Sequence, residues 1–120
     1  MIQTDIDAVY NNMLALLKDE LVISQNTKDN SRISYRLRNI FTFMLDHYDK
    51  LVNPNKELIE THMSKYYKHA LEVVNTEYNL LCMKKVETTL TGDEEKTLDD
   101  YKKSIDCVKR FTDKYCPSRT

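Results

Sequence analysis

The sequence holds a single glycine, Gly92, two prolines and no tryptophan in 120 residues. So little glycine argues against a sheet-rich fold, because tight hairpins depend on Gly or Asn-Gly turns. It also leaves no Gly-rich loop to cradle a phosphate. Long apolar runs are missing too. The longest in the N-terminal region, Met13–Leu17, is far short of a signal-peptide core or a membrane span. Neither sign of charge is in excess: 18 basic residues face 19 acidic ones, a net of −1. No global field would steer the chain to nucleic acid or an anionic membrane, so either role needs a local patch. The three cysteines, Cys82, Cys107 and Cys116, are odd in number and form no C-x-x-C pair. That is a poor disulfide framework and a poor zinc site, and a reducing compartment is expected. The pattern turns amphipathic directly after Met1, which points to a cytoplasmic protein without a membrane segment.

What is present is a helical pattern. Hydrophobic residues make up 41% and charged residues 31%, enough for one core, and residues 1–120 read as a single helical domain. A first helix is expected from about Asp5 to Ile23 with Thr4 as its cap. Its apolar face is Ile6, Tyr10, Met13, Leu14, Leu17 and Leu21. The polar stretch Ser24–Ser31 reads as a loop. A second helix, capped by Asn30 or Ser31, is expected from Arg32 to Val52. Ile33, Leu37, Ile40, Phe41, Met44, Leu45, Tyr48, Leu51 and Val52 form its wide stripe, and Asn53-Pro54 ends it.

A third helix opens near Pro54 or Lys56, with Ile59, Met63, Tyr66, Tyr67, Ala70, Leu71, Val74 and Leu81 on one face. Past Val74 the pattern fails, since Glu77, Lys84 and Lys85 fall on the same stripe. Either the helix projects beyond the bundle, or it breaks near Asn75–Asn79. A fourth helix is expected from Asp93 to Tyr115, opened by the capping box Thr91-Gly92-Asp93-Glu94. Its narrow seam is Leu98, Tyr101, Ile105, Val108, Thr112 and Tyr115. Asp99–Lys103, Lys102–Asp106, Asp106–Arg110 and Lys109–Asp113 are i,i+4 charge pairs on a solvated face. The fold class is therefore all-α: a four-helix antiparallel bundle, five helices if the third breaks, with a short helical solenoid as the alternative.

Chemistry finds little purchase. No Ser-His-Asp ordering is visible. Among the histidines, His62 and His69 lie seven apart, about 10.5 Å along a helix axis, too far to share a metal. His69-x-x-Glu72 has a ligand-like separation, but matching carboxylates are not visible on the other helices. Cys107 falls off the fourth-helix seam and is expected at the surface, and Cys116 sits at a helix end whose dipole raises a thiol pKa. No catalytic residue, metal or cofactor is expected, and the protein reads as a non-enzyme.

One flank of the second helix is more informative. With Leu37 at zero and 100° per residue, Phe43 falls at about −120°, away from the core stripe. Arg32, Arg36, His47 and Lys50 share that side. Cations around an exposed aromatic are the composition of a protein-binding hot spot, and would also suit a nucleic-acid backbone with a stacked base. The plain alternative is Phe43 packed beneath a neighbour with snorkelling cations. Tyrosine is the other surplus, at eight residues. Tyr10, Tyr48, Tyr66, Tyr67, Tyr101 and Tyr115 lie on apolar faces, where a ring is buried and its hydroxyl needs a partner.

The runs Asp7-x-x-Tyr10-x-x-Met13, Leu17-Lys18-Asp19 and Ser31-Arg32-Ile33-x-Tyr35-x-Leu37-x-Asn39-Ile40 resemble the last helical pair of the HEAT-type middle domain of translation-initiation scaffold proteins. The resemblance covers about 45 residues at helical spacing, and the second half of the chain departs from it. It implies a scaffold surface with Arg32 and Arg36 in contact with a partner. The function expected is a non-catalytic helical interaction module, an adaptor, inhibitor or assembly factor that binds a polypeptide through a helix face or groove. The fourth-helix seam also permits a homodimer. The alternative is an RNA- or translation-associated module using Arg32, Arg36 and Lys50. The Asn, Lys, Tyr and Ile content fits AT-rich coding of the viral or parasite kind.

Overall fold

The computed structural model describes residues 3–27, 30, 32–51 and 55–115. Among these residues there is no strand. Helix α1 spans Gln3–Thr27, α2 Ile33–His47, α3 Asn55–His62, α4 Lys68–Glu87 and α5 Gly92–Tyr115. A 3-10 turn, Tyr48–Lys50, follows α2, and a π-helical turn, Met63–Tyr67, joins α3 to α4 without a gap. Residues 55–87 thus form one continuous helical rod. The molecule measures 49 × 31 × 25 Å.

Hydrophobic periodicity explains most of the packing. Ile6, Tyr10, Leu14, Leu17 and Leu21 are buried along α1 at steps of three and four residues. Helix α2 is the most enclosed, with Ile33, Ser34, Leu37, Ile40, Phe41 and Met44 buried. It touches α1, α4 and α5. Phe41 stands where three elements meet, edge-on to Tyr67 at 4.9 Å and to Phe111 at 5.3 Å. Tyr48 and Tyr115 extend this cluster, stacked at 4.2 Å. Helices α2 and α5 approach through small residues. Ser34 and Ser104 are fully buried with their hydroxyls 2.6 Å apart. Ser104 also reaches the Ser34 carbonyl at 3.0 Å, and Arg38 pairs with Asp100 one turn along.

Several expectations are corrected. Helix α1 begins at Gln3, so Thr4 lies inside it, and it runs on to Thr27 through half of the expected loop. Helix α2 stops at His47, five residues early, where the chain tightens into the 3-10 turn. The rod does not break at Asn75–Asn79. Its irregularity is the π turn, where one extra residue is absorbed without ending the helix. The buried face of α5 is Tyr101, Ser104, Cys107, Val108 and Phe111. It is rotated from the expected seam, leaving Leu98, Ile105, Thr112 and Tyr115 half-buried at its margins. Cys107 is therefore inside, not at the surface, because α2 lies over that side and Thr42 contacts its sulfur at 3.4 Å. Of the four charge pairs on α5 only Asp99–Lys103 closes, at 3.1 Å. It has the favoured acid-first order. The caps or stops assigned to Ser31, Asn53, Pro54 and Pro117, and the assignments of Val52 and Cys116, lie outside the described residues.

The capping box is present as expected. The Thr91 amide donates to Glu94 Oε1 at 3.0 Å, and the Glu94 amide donates to Thr91 Oγ1 at 3.1 Å. Lys84 reaches Glu94 at 2.5 Å and Lys85 reaches Glu95 at 3.5 Å, tying the end of α4 to the start of α5. These contacts, the Lys84 bond first, hold the Glu94 carboxyl below its ordinary range.

Candidate functional surfaces

The flank of α2 comes first. Phe43 is half-buried and packs on His47 one turn later, ring centroids 4.5 Å apart. The Nδ1 atom of His47 is buried without a hydrogen-bond partner. Arg36 turns away from this pair toward α1. Its Nε lies 3.9 Å from the carboxylate of the buried Glu20, and its guanidinium lies over the Tyr35 ring at 5.5 Å. Arg32 and Lys50 are exposed at opposite ends of the helical segment. Of the five residues, Phe43 and His47 are brought into contact, while Arg36 is engaged by another helix.

Sequence reasoning missed three other features. The first is internal. The Tyr10 hydroxyl lies 3.0 Å from His62 Nδ1 and 2.7 Å from the Tyr67 hydroxyl. Tyr10 and Tyr67 are fully enclosed, and His62 is 9% exposed. Burial raises the Tyr10 phenol to about 12 and pushes Tyr67 well above its ordinary value. Burial, helped by the ammoniums of Lys18 and Lys65, lowers His62. The imidazole is thus kept neutral, so it can accept from Tyr10 while Tyr10 accepts from Tyr67. His62 ends α3 and Tyr67 ends the π turn, so the turn's geometry presents both side chains to one residue of α1. The sequence showed Tyr10 and Tyr67 on apolar faces but not that they meet.

The second feature is the outer face of α4. Leu80, Met83 and Val86 are 56%, 63% and 88% exposed. Spaced three apart, they form one stripe within about 120° of the helix circumference. The only buried residues of α4 are Ala70 and Val74, so its last turns contact the core on one side through half-buried Tyr78 and Leu81. The signal was visible as the failure of the stripe past Val74.

The third is a set of surface grooves. One, of about 360 Å³, lies between the π turn and α5 and is lined by Met63, Tyr67, Leu71 and Val108 among others. Another, of about 410 Å³, lies between α1 and the rod. It takes Lys18, Leu21, Val22 and Gln25 from α1, and Lys65, Tyr66 and His69 from the rod. Among the described residues, no group of three His, Cys, Asp or Glu side chains comes together to hold a metal. Among the described residues, no helix is long and apolar enough to cross a membrane.

Comparison of the chain with family models, curated proteins and solved structures gives no match. None of them supports the likeness of the first hairpin to a scaffold middle domain.

Proposed function

We propose that the protein is a non-catalytic interaction module that takes a partner polypeptide against the outer face of α4. The observation that carries this reading is the stripe of Leu80, Met83 and Val86, more than half exposed on a helix whose other side is packed. Scattered apolar residues are normal on a surface, but three in register along one helix are the anchor pattern of helix pairing. The Thr91–Glu94 cap closes the turn from α4 into α5 at this end of the rod. The α2 flank is a secondary contact in this reading. The RNA-associated alternative draws on Arg32, Arg36 and Lys50, and the engagement of Arg36 with Glu20 leaves it a weaker cationic stripe.

We further propose an up-down-up-down antiparallel arrangement. In its support, contacts between neighbouring helices descend against one another, as Phe41–Tyr67 with Asn30–Glu77, while Ser34–Ser104 and Tyr48–Tyr115 rise together. A cytoplasmic site of action fits the free thiols of Cys82 and Cys107.

Light scattering across a concentration series tests the interaction reading, run beside affinity capture on the wild type and on a Leu80→Ser, Met83→Ser, Val86→Ser variant. Either a dimer that the triple variant turns to monomer, or partners held by the wild type and lost by the variant, is the expected result. An unchanged mass together with an unchanged set of partners overturns it.

A further inference from the structure

We infer that the groove between α1 and the π turn is a second recognition site, for an acidic peptide segment carrying an apolar side chain, resting on the interaction reading above but using a different face. The wall facing solvent is cationic. Lys18 and Lys65 line it with His69, and neither ammonium has a carboxylate partner among the described residues, nor does the lining contain Asp or Glu. Lys84, Lys85 and Lys103 each sit within 4 Å of a carboxylate, whereas Lys68, Lys96, Lys102 and Lys109, like Lys18 and Lys65, have none among the described residues; what sets the groove apart is that its lining joins two lysines and a histidine without an acid. In a chain of net charge −1, two adjacent unneutralised lysines are a local excess. Acidic Glu72 and Glu77 line a separate groove on the far side of His69.

The same two lysines are also felt inside the protein. His62 lies 6.0 Å from the Tyr66 ring of the lining, and Lys18 and Lys65 are the charges that add to burial in disfavouring its protonation. Ammoniums without a carboxylate partner attract one, in water by a modest amount that grows when the site is covered.

The floor chooses between anionic partners. Leu21 and the exposed Val22 make it apolar, which suits the side chain of a peptide and offers nothing to a phosphate backbone. Of the two rings in the lining, Tyr66 and His69, the larger, Tyr66, already carries the Lys18 ammonium 4.6 Å from its centroid, so it is poorly placed for base stacking. The volume, about 410 Å³, lies within the roughly 300–1,000 Å³ of ordinary ligand pockets. Carboxylates of the segment would meet Lys18 and Lys65, and the side chain between them would lie on Leu21 and Val22.

The test is an amide-resolved NMR titration of the full chain with an eight-residue peptide of alternating Glu and Leu. A Lys–Leu peptide of the same length and a twelve-nucleotide oligothymidine serve as comparison probes. Shifts at Lys18, Val22, Lys65, Tyr66 and His69 with the Glu–Leu peptide alone are expected. Lys18→Glu with Lys65→Glu should weaken binding at least tenfold. Because Lys18 also packs on Tyr66, the exposed Lys65→Glu alone is the second variant, expected to weaken binding about threefold with an unchanged melting temperature. No shift at these residues, equal binding by both variants, or tighter binding of oligothymidine at the same residues overturns the assignment. Shifts confined to Leu80, Met83 and Val86 also overturn it while favouring the α4 reading, which the triple serine variant tests separately.

Discussion

At the scale of single residues, the Tyr10–His62–Tyr67 cluster is where polarity is buried at greatest cost and with greatest consequence. Tyr10 is its centre, so the two phenols are not equivalent. Tyr67→Phe removes one hydrogen bond and leaves Tyr10 with His62, at a cost of about 1 kcal/mol. Tyr10→Phe removes both and strands the imidazole nitrogen and the Tyr67 hydroxyl in the interior, at roughly 2–3 kcal/mol. Urea unfolding of the two variants should give that order, and the reverse order would mean the cluster is not wired through Tyr10. His62 adds a pH dependence. Its folded value lies below the unfolded 6.5 because burial comes first and the ammoniums of Lys18 on α1 and Lys65 in the π turn add to it, beside the neutral phenols of Tyr10, Tyr66 and Tyr67. Above pH 6.5 both states are neutral and the histidine contributes no slope. As pH falls through 6.5 the unfolded chain takes up a proton first, so stability drops until the folded value is reached and is flat below it. Thermal midpoints at pH 7.5 and pH 5 should differ more for the wild type than for His62→Gln. Equal differences would show that His62 is protonated as easily in the fold as in the open chain.

At the scale of elements, the sequence was most legible where a local rule acts alone. The capping box at Thr91–Glu94 and the buried stripe of α1 follow from nearest-neighbour chemistry, and both are present. The face of α5 was misread because the 3-4 spacing of Leu98, Tyr101, Ile105 and Val108 competes with that of Tyr101, Ser104, Val108 and Phe111. Only the approach of α2 through Ser34 decides between them. Serine carries no hydrophobic signal, so a buried Ser–Ser contact is invisible in a hydropathy pattern. The π turn was illegible for a similar reason. No proline or glycine marks it, and its cause is the need to place His62 and Tyr67 against Tyr10 while Ala70 and Val74 stay in the core. This makes the turn removable. Deleting the exposed Ser64 closes a π turn into an α turn and keeps both flanks in phase, whereas deleting Thr76 rotates everything beyond it by about 100°. The Ser64 deletion should keep a cooperative thermal transition, and the Thr76 deletion should lose several degrees more. If the two deletions melt alike, the turn is part of the core's register and not an insertion within it.

At the scale of the whole molecule, the core leaves out the far end of the rod, whose last buried residue is Val74. Phe41, Tyr67 and Phe111 join α2, the rod and α5, and Tyr48 and Tyr115 close the cluster. Toward the tip formed by the end of α4 and the start of α5, burial falls to half-buried Tyr78, Leu81 and Cys82, a buried Leu90, and surface ion pairs. Exposed ion pairs add little, so the tip is held mainly by its own helical bonds and one cap. Stability should therefore be graded along the axis, and amide hydrogen exchange reads that gradient. Amides of Ala70–Val74 should open only with global unfolding, and those of Leu80–Glu87 should exchange faster by at least two orders of magnitude. The gradient bears on function, because a face that must receive another polypeptide is best carried by a segment whose small motions do not unfold the core. If a partner or a second copy covers Leu80, Met83 and Val86, protection in that stretch should rise on binding while that of Ala70–Val74 stays fixed. A uniform protection pattern in the free protein would mean that the tip is as firmly held as the centre. The exposed stripe would then sit on a rigid extension of the core, and its partner would gain nothing from ordering it.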